Sequence, residues 1–334
     1  MMIVDELEKN KRWRVLAPAK INLFFEILGK RLDGFHEIQT VVAPIDLYDR
    51  LEFERAERPG LSLECYEENG AQCLDVPNDD SNLVTKAYRA FCNDFNLSGD
   101  DLRLKCRLYK KIPTKSGLGG GSSDAAAALT VFNMVADVPF NKERLQLIAG
   151  TIGSDVALFL EKGASIGRGR GELVEPLDMP SLSLVLLKPR EGLSTPAVYR
   201  CYDEAPNGEK YSLDGFCEAV KKNADLFRST ENADSEPRRK KCVAKVAALM
   251  VNRLEEPASR LWSGWSARRD ALMATGALAA RMTGSGSAFF AVYPCKEAAR
   301  QAAERLQAEV VNVNGPLGGD RVFVVQTLSD FPIE

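Results

Sequence analysis

The strongest chemical signal in the sequence is a glycine-rich stretch, K-I-P-T-K-S-G-L-G-G-G-S-S-D, at residues 111–124. Its glycines, Gly117, Gly119, Gly120 and Gly121, lie between a predicted strand and a predicted helix. Glycine permits positive φ angles and lets the backbone approach a ligand closely. Backbone N–H groups in such a loop, with a helix N-terminus behind them, can bind an anion such as phosphate. The glycines alone leave a second interpretation open, which is a tight turn without a ligand.

Three well-known nucleotide-binding patterns do not fit this stretch. A P-loop requires a lysine directly after its last glycine, whereas Ser122 follows here. A dinucleotide fingerprint that starts at Gly117 requires glycine or alanine where Ser122 stands. A protein kinase requires the triplet H-R-D, and the only histidine, His36, is followed by Glu37. The loop therefore predicts a phosphate site of another class.

The side chains outside the loop limit the remaining chemistry. His36 is the only histidine in 334 residues, which excludes a multi-histidine metal site. A Ser-His-Asp or Cys-His catalytic system could be built only around this residue. No two of the eight cysteines have C-x-x-C spacing, which disfavours zinc ribbons and thioredoxin-like redox sites. The charged N-terminus has no apolar secretory segment, which predicts a cytoplasmic protein, and thiols in such a protein are expected to stay reduced.

Composition bounds the class of protein. The chain is 45% hydrophobic and 27% charged, with a net charge of −3, which is typical of a globular chain of about two domains. No apolar run approaches the roughly 20 residues that cross a bilayer, so we expect no membrane partner. The weakly negative charge predicts that the chain does not bind nucleic acid.

Strands and helices alternate along the chain and predict an α+β fold. Apolar patterning predicts strands at 12–16, 21–28, 38–47, 51–54, 61–65, 102–108, 182–187, 288–293 and 322–327. It predicts helices at 82–95, 125–136, 142–151, 155–160, 243–254, 262–278 and 296–308. The charged stretch at 231–241 predicts a solvated loop or insertion. The strand restart at Leu182 predicts a domain boundary near residue 178.

Three motifs, in this order, resemble those of the GHMP kinases, a family of small-molecule kinases. They are A-P-A-K-I-N-L-F at 17–24, the glycine loop with its following S-S-D-A-A, and M-T-G-S-G-S-A-F-F at 282–290. The resemblance implies a two-domain fold. A ribosomal-S5-domain-2-like N-terminal domain would span 1–178, and a ferredoxin-like C-terminal domain would span 179–334 with an insertion near 203–245.

Further motifs resemble one branch of that family. They are R-L-D-G-F-H at 31–36, G-S-D-V-A-L-F-L at 153–160, the loop K-P-R-E-G-L-S-T-P-A-V-Y at 188–199 and V-N-R-L-E-E-P-A at 251–258. This branch uses ATP to phosphorylate the 2-hydroxyl of 4-diphosphocytidyl-2-C-methyl-D-erythritol in non-mevalonate isoprenoid biosynthesis. The implied partner is thus a small molecule that carries a cytidine diphosphate group. Another GHMP kinase, of the homoserine or mevalonate type, is the alternative.

The resemblance also implies roles for single residues. Asp155 would be the catalytic base and Lys20 its partner. The residues expected to bind the substrate are Asn22, Phe35, His36, Thr195 and Tyr199. Those expected to bind ATP are Asn82, Leu83, Lys110, Pro113, Gly117, Leu118, Gly119, Gly120, Gly121, Ser122 and Ser123.

Some features stay open in the sequence. Mg²⁺ is expected to accompany ATP, with Ser123 as the first candidate ligand, but the pattern fixes no set of metal ligands. Lys115 departs from the small or apolar residues usual before the family's glycines, and it could either contact phosphate or point to solvent. The chain is expected to be a monomer or a homodimer.

Overall fold

The computed structural model describes residues 2–95, 97, 102–136, 141–206, 208–228 and 236–329. Its larger sheet is built on two long antiparallel strands that are joined by a turn at 31–35. These central strands are β2 (Arg12–Lys30) and β3 (His36–Arg55). The other strands of this sheet are β1 (Ile3–Glu8), β4 (Leu61–Glu67), β5 (Leu104–Lys110), β6 (Ser165–Gly169), β7 (Leu173–Pro176) and β9 (Val251–Asn252).

The larger sheet has the order β1-β2-β3-β5-β4, with β6 pairing with β3 and β7, and β9 pairing with β2. A smaller sheet has the order β10-β11-β8-β12. Its strands are β8 (Ser183–Lys188), β10 (Ala279–Met282), β11 (Phe289–Tyr293) and β12 (Arg321–Gln326). Because β9 comes from residues 251–252 and yet pairs with β2, the chain beyond residue 178 also contributes to the larger sheet. The domain boundary near 178 stays a prediction.

Helices cover both sheets. In the first half they are α1 (Leu83–Phe95), α2 (Gly120–Val135), α3 (Lys142–Ile152) and a 3₁₀ turn (Ala157–Leu160). In the second half they are α4 (Thr195–Glu204), α5 (Leu213–Arg228), α6 (Glu236–Ala248), α7 (Glu255–Leu261), α8 (Trp265–Ala274) and α9 (Lys296–Val311). The mixture confirms the α+β class. Each helix within the described ranges is too short or too polar to cross a membrane.

The predicted break between 12–16 and 21–28 is wrong, as is the break between 38–47 and 51–54. A single strand runs through each region, and the register of β2 against β3 shifts between Pro18 and Ala19. A bulge accommodates a proline because the residue without an N–H then falls where the ladder is interrupted. The strand therefore continues through the proline, and Lys20 lies inside it.

Several other boundaries differ from the sequence patterns. Residues 236–241, predicted as loop, are the first turns of α6, whereas 231–235 lie outside the described residues. The helix predicted at 243–254 ends at Ala248, and β9 follows. The sequence did not predict α5, a 16-residue helix in the stretch 203–245 that was expected to be an insertion. It also did not predict β1, β6, β7, β9, β10, α4 or α7, all of which have ten residues or fewer. Such short elements carry too few periods of a pattern to be recognised.

Candidate active site

Two cavities meet at the glycine loop. One has a volume of about 660 Å³ and is lined by β2, β3, the start of α4 and the turn around Asp155. The other, of about 360 Å³, lies over the start of α2 and the end of β5. Gly117, Gly119 and Ser122 line both. The loop thus stands between two spaces of a size suited to small molecules.

Glycine is required in the loop for steric reasons. Gly117 has φ +78°, and a Cβ atom there would lie 2.2 Å from the carbonyl oxygen of Thr283. The loop is held from within, because Ser116 Oγ donates to the Pro113 carbonyl at 2.6 Å and accepts from Leu118 N–H at 3.3 Å. Helix α2 begins at Gly120, so its first N–H groups are available for an anion.

A lysine and a carboxylate face each other where the cavities meet. Lys20 Nζ lies 3.4 Å from Asp155 Oδ2, and it donates to Asn22 Oδ1 at 2.7 Å. The Lys20 side chain is 4% exposed, whereas that of Asp155 is 37% exposed. The amine is therefore fixed inside the protein while the carboxylate is open to a ligand.

Two threonines hold Asn22 in place. Thr283 Oγ1 accepts from the Asn22 backbone N–H at 3.0 Å, and Thr40 Oγ1 accepts from Asn22 Nδ2 at 2.9 Å. Sequence reasoning named neither threonine. Thr40 could have been found, because it follows His36 at even spacing along one strand and so shares its face.

A second glycine cluster, Gly284-Ser285-Gly286-Ser287 in the M-T-G-S-G-S motif, closes this centre from the side of the smaller sheet. Gly284 has φ +55°, and a Cβ atom there would lie 3.6 Å from Lys20 Nζ and 3.3 Å from Asn22 Oδ1. Asn252, in the V-N-R-L-E-E segment, donates through Nδ2 to the carbonyls of Met282 at 2.8 Å and Gly284 at 2.7 Å. Asn252 is thus a positioning residue that the sequence did not reveal.

Asp155 does not begin a regular helix, contrary to the prediction for 155–160. It lies in a turn after Gly153, and the following segment is a 3₁₀ turn at Ala157–Leu160. The apolar side chains of this segment are packed in the core, and this packing outweighs helix propensity over so few residues. The nearby cation for this carboxylate is Lys20 and not a helix dipole.

Another part of the larger cavity is an aromatic corner formed by His36 and Tyr199. The rings of His36 and Tyr199 lie 4.8 Å apart, and His36 Nε2 lies 2.7 Å from Asp203 Oδ1. Asp203 also accepts from Lys30 Nζ at 2.5 Å. Burial favours a higher pKa for Asp203, but the hydrogen bonds from Lys30 and His36 outweigh it and lower the pKa. Asp203 was not predicted, since it lies 167 residues from His36 in the chain.

The remaining predicted substrate residues line the same cavity. Phe35 is 52% exposed, and the Arg170 guanidinium lies 5.0 Å from its ring centroid. Thr195 Oγ1 lies 2.7 Å from Ser285 Oγ, which links the start of α4 to the second glycine cluster. Tyr199 packs directly against His36, so in this arrangement the two rings do not leave a slot between them for a base.

A buried ionic cluster lies beside the smaller cavity. Lys110 Nζ donates to Asp124 Oδ2 at 2.7 Å and also to Asp49 Oδ2. Asp49 Oδ1 accepts from the backbone N–H groups of Lys111 at 2.6 Å and Ile112 at 2.9 Å. Asp124 Oδ1 has no hydrogen-bond partner among the described residues. Burial raises the pKa of Asp124 to about 7, against the opposing attraction of Lys110.

The predicted ATP residues divide into two groups. Those that line the smaller cavity are Asn82, Leu83, Lys110, Pro113, Gly117, Gly119, Gly120, Gly121 and Ser122. Leu118 and Ser123 are fully buried and line neither of the two cavities. The Leu118 carbonyl accepts from Lys20 N–H at 2.9 Å, and Ser123 Oγ has no partner among the described residues.

Comparisons with known proteins agree with this arrangement. The family model for the GHMP kinases N-terminal domain matches residues 82–163, and the model for the C-terminal domain matches residues 238–312. A 4-diphosphocytidyl-2-C-methyl-D-erythritol kinase of Pelotomaculum thermopropionicum is 38% identical over 87% of this chain and 92% of its own. One of Listeria innocua is 36% identical over 83% of this chain and 86% of its own.

Solved structures extend the comparison to the fold. A crystal structure of 4-(cytidine 5'-diphospho)-2C-methyl-D-erythritol kinase has a TM-score of 0.70 and 31% identity, and the match covers 95% of this chain and 99% of the other. Homoserine kinase from Cytophaga hutchinsonii has a TM-score of 0.66 at 18% identity, over 97% of this chain and 96% of its own, which shows the fold alone.

The chain belongs to the GHMP kinases, and within them it groups with the 4-diphosphocytidyl-2-C-methyl-D-erythritol kinases. The family expected from the sequence is confirmed, and so are the two-part GHMP fold and the activity of an ATP-dependent small-molecule kinase. The roles of the individual site residues are proposals.

Proposed function

We propose that the chain transfers the terminal phosphoryl group of ATP to the 2-hydroxyl of 4-diphosphocytidyl-2-C-methyl-D-erythritol, with Asp155 as the base and Lys20 beside it. The observation that carries the proposal is the Lys20–Asp155 contact of 3.4 Å at the junction of the two cavities. ATP would occupy the smaller cavity over α2, and the cytidylyl alcohol would occupy the larger one.

Phosphoryl transfer depends on positioning and on stabilisation of charge more than on covalent chemistry. The open carboxylate of Asp155 would accept the proton of the attacking hydroxyl. The ammonium group of Lys20, held between Asp155 and Asn22, would orient that carboxylate and stabilise negative charge on the reacting oxygens. Backbone N–H groups of Gly117, Gly119, Gly120 and Gly121 and of the first turn of α2 would bind the phosphates.

The aromatic corner of the larger cavity would bind the cytosine of the substrate. His36, Phe35 and Tyr199 provide aromatic surface, and base stacking on such side chains is worth about 1–3 kcal/mol per base. Thr195 and Asn22 would add hydrogen bonds to the substrate. The Asn82 amide, the Leu83 side chain, Lys110 and Pro113 would border the nucleoside of ATP, since they line the smaller cavity.

Mg²⁺ would accompany ATP, and the residues present are compatible with it. This ion keeps several water and phosphate ligands and needs few from the protein. Ser123, the first candidate ligand from the sequence, is fully buried and lines neither cavity, so in this structure its hydroxyl does not face a nucleotide-bound ion. When bound, the ion would neutralise charge on the transferring phosphates. Elsewhere in the described ranges, no group of three or more His, Cys, Asp or Glu residues could hold a metal.

A coupled assay of ADP release tests the proposal. The expected result is ADP release that depends on 4-diphosphocytidyl-2-C-methyl-D-erythritol and yields one phosphorylated product. Homoserine and mevalonate are the matched acceptors, because other GHMP kinases accept alcohols of that kind. Turnover of either of these without turnover of the cytidylyl alcohol would contradict the proposal.

We also propose a cytoplasmic location for the protein. Every one of the eight cysteines is free of a disulfide, and seven are buried, which favours a reducing compartment. A cytoplasmic site of action would also give the enzyme access to ATP.

A further inference from the structure

The two lysines that line the nucleotide cavity differ in how many carboxylates they contact. Among the described residues, those with ionisable side chains are Lys110, Asp124 and Lys115. Lys110 is already bound to Asp124 at 2.7 Å and to Asp49, so its ammonium group is shared by two buried carboxylates. Its charge is therefore not available to neutralise a polyphosphate.

Lys115 is in the opposite situation. It is exposed, and no carboxylate of the described residues lies within ion-pair distance of it. Its stem faces the loop before α4, since a Cβ atom on Gly192 would lie 3.5 Å from Lys115 Cβ. The ammonium group is thus an uncompensated positive charge at the rim of the nucleotide cavity.

The backbone at Lys115 is unusual for a residue with a side chain. Its φ of +50° lies in the left-handed region, which is sparsely populated except by glycine. The hydrogen bonds of Ser116 to Pro113 and Leu118 hold this conformation, and the Ser116 carbonyl also accepts from Ala288 N–H at 3.0 Å. A residue that is kept in a strained conformation at a ligand cavity points to a function for its side chain.

We propose that Lys115 binds the distal phosphates of ATP and supplies the side-chain charge that Lys110 cannot. This inference rests on the proposed function in one respect, which is that ATP occupies the cavity over α2. Lysine suits the role because its ammonium group is a compact charge on a flexible stem that can follow a phosphate as it moves. The flanking glycine-loop N–H groups would bind the same phosphates through fixed partial charges.

The test is a comparison of nucleotides that differ in phosphate number. Dissociation constants for ATP, ADP, AMP and adenosine are measured by calorimetry on the wild-type chain and on Lys115→Gly. Glycine accepts the left-handed conformation, so the substitution removes the charge without adding strain, and equal melting temperatures would verify the fold. Lys115→Arg keeps the charge. Lys111→Ala is the control variant. It removes a neighbouring exposed charge that lies outside this cavity, where Lys111 Nζ pairs with Glu68 at 2.8 Å.

The expected result for Lys115→Gly is about a tenfold weaker binding of ATP, a smaller loss for ADP, and values within about twofold for AMP and adenosine. Lys115→Arg and Lys111→Ala should bind ATP within about threefold of the wild type. Equal weakening of ATP and adenosine, or unchanged ATP binding, would overturn the inference. A wild-type chain that binds ATP but leaves the cytidylyl alcohol unphosphorylated would instead contradict only the proposed function.

Discussion

Each of the two cavities has a buried ionic group beside it, and the two groups are built differently. Glu26 and Arg253 line a cavity that adjoins the substrate cavity at Lys30, His36 and Asp203, and Glu26 accepts from Arg253 Nε at 2.8 Å and Nη2 at 2.6 Å. Its oxygens also accept from the backbone N–H groups of Ile27 and Tyr211, each at 2.8 Å. Beside the nucleotide cavity, one lysine serves both Asp49 and Asp124, and one oxygen of Asp124 has no partner among the described residues.

The difference shows in the pKa values of the carboxylates. Burial favours a higher pKa for Glu26, but the bonds from Arg253 and the backbone outweigh it, so that the pKa is lowered. The pKa of Asp124 is raised to about 7, because burial exceeds the attraction of its shared lysine. The substrate side is thus supported by a balanced pair. On the nucleotide side two carboxylates share one lysine, so phosphate binding there would depend on backbone N–H groups and on Lys115.

The largest expected effect lies at the junction of the two regions. Asp155→Ala should lower kcat at least about a thousandfold, because the hydroxyl of the substrate then has no base. The dissociation constant for ATP should stay within about threefold, since Asp155 does not line the nucleotide cavity. Single-turnover kinetics and calorimetry measure the two quantities.

Glu175→Gln provides the matched control for this variant. Glu175 is an exposed carboxylate on β7 that pairs with Arg168 at 3.0 Å and lines neither cavity. Its loss should leave kcat within about twofold of the wild type. Undiminished turnover by Asp155→Ala would show that Asp155 is not the catalytic base and that proton transfer does not take place at this junction.

The next largest effect, on stability, is expected in the buried cluster of Lys110, Asp49 and Asp124. Lys110→Met should lower the free energy of unfolding by about 3–5 kcal/mol, because it leaves two buried carboxylates without their cation. Urea denaturation measures the change. Lys111→Met, at the adjacent exposed lysine, should cost less than about 1 kcal/mol. A loss of similar size in both variants would mean that the cluster does not stabilise the nucleotide side.

The local parts of this site could be read from the sequence, whereas its long-range parts could not. The phosphate-binding character of the glycine loop is visible in a few contiguous residues, whereas roles for Lys20 and Asp155 were implied only by the resemblance of their motifs to the family. Asp203, Asn252 and Thr283 are brought to the site by chain segments far from the residues that they contact. No local pattern marks such a contact, since tertiary packing alone creates it.

Prediction of the fold from the sequence was limited in the same way, because local patterns do not report tertiary packing. Helices α2 and α9 were predicted to within five residues at each end, because their alanine-rich sequences favour a helix. The break predicted in β2 failed because a bulge can carry a proline through a ladder. The charge of residues 236–241 suggested a loop, but solvent on one face of α6 accepts charged residues as readily as a loop does.

A direct comparison of the two clusters comes from replacing one carboxylate in each. Glu26→Gln should destabilise the fold by about 2–4 kcal/mol, because Arg253 loses the charge of its buried partner. Asp124→Asn should cost less than about 1 kcal/mol, because it leaves a balanced Lys110–Asp49 pair. Urea denaturation at pH 7 measures both. Equal costs would show that the excess charge beside the nucleotide cavity is energetically unimportant.

The pH dependence of Glu26→Gln tests whether the pKa of Glu26 is lowered in the folded state. The pKa of Glu26 in the folded state lies below its usual value of 4.5. Its ionised form therefore contributes stability that is fully present above pH 4.5 and is lost as the pH falls through the lowered folded pKa. The difference in unfolding free energy between wild type and Glu26→Gln should accordingly shrink below pH 4.5. A difference that grows on acidification would contradict the assignment.

The smallest effect, and the most specific to the substrate side, is expected at the single histidine. His36 packs against Tyr199 and is hydrogen-bonded to Asp203, so we expect it to recognise the base and not to take part in proton transfer. His36→Ala should raise KM for the cytidylyl alcohol about tenfold, lower kcat by less than about threefold, and leave KM for ATP unchanged. Steady-state kinetics with each substrate varied in turn separate these values. A collapse of kcat at unchanged KM would assign proton transfer to His36 and would move the chemistry from the junction to the aromatic corner.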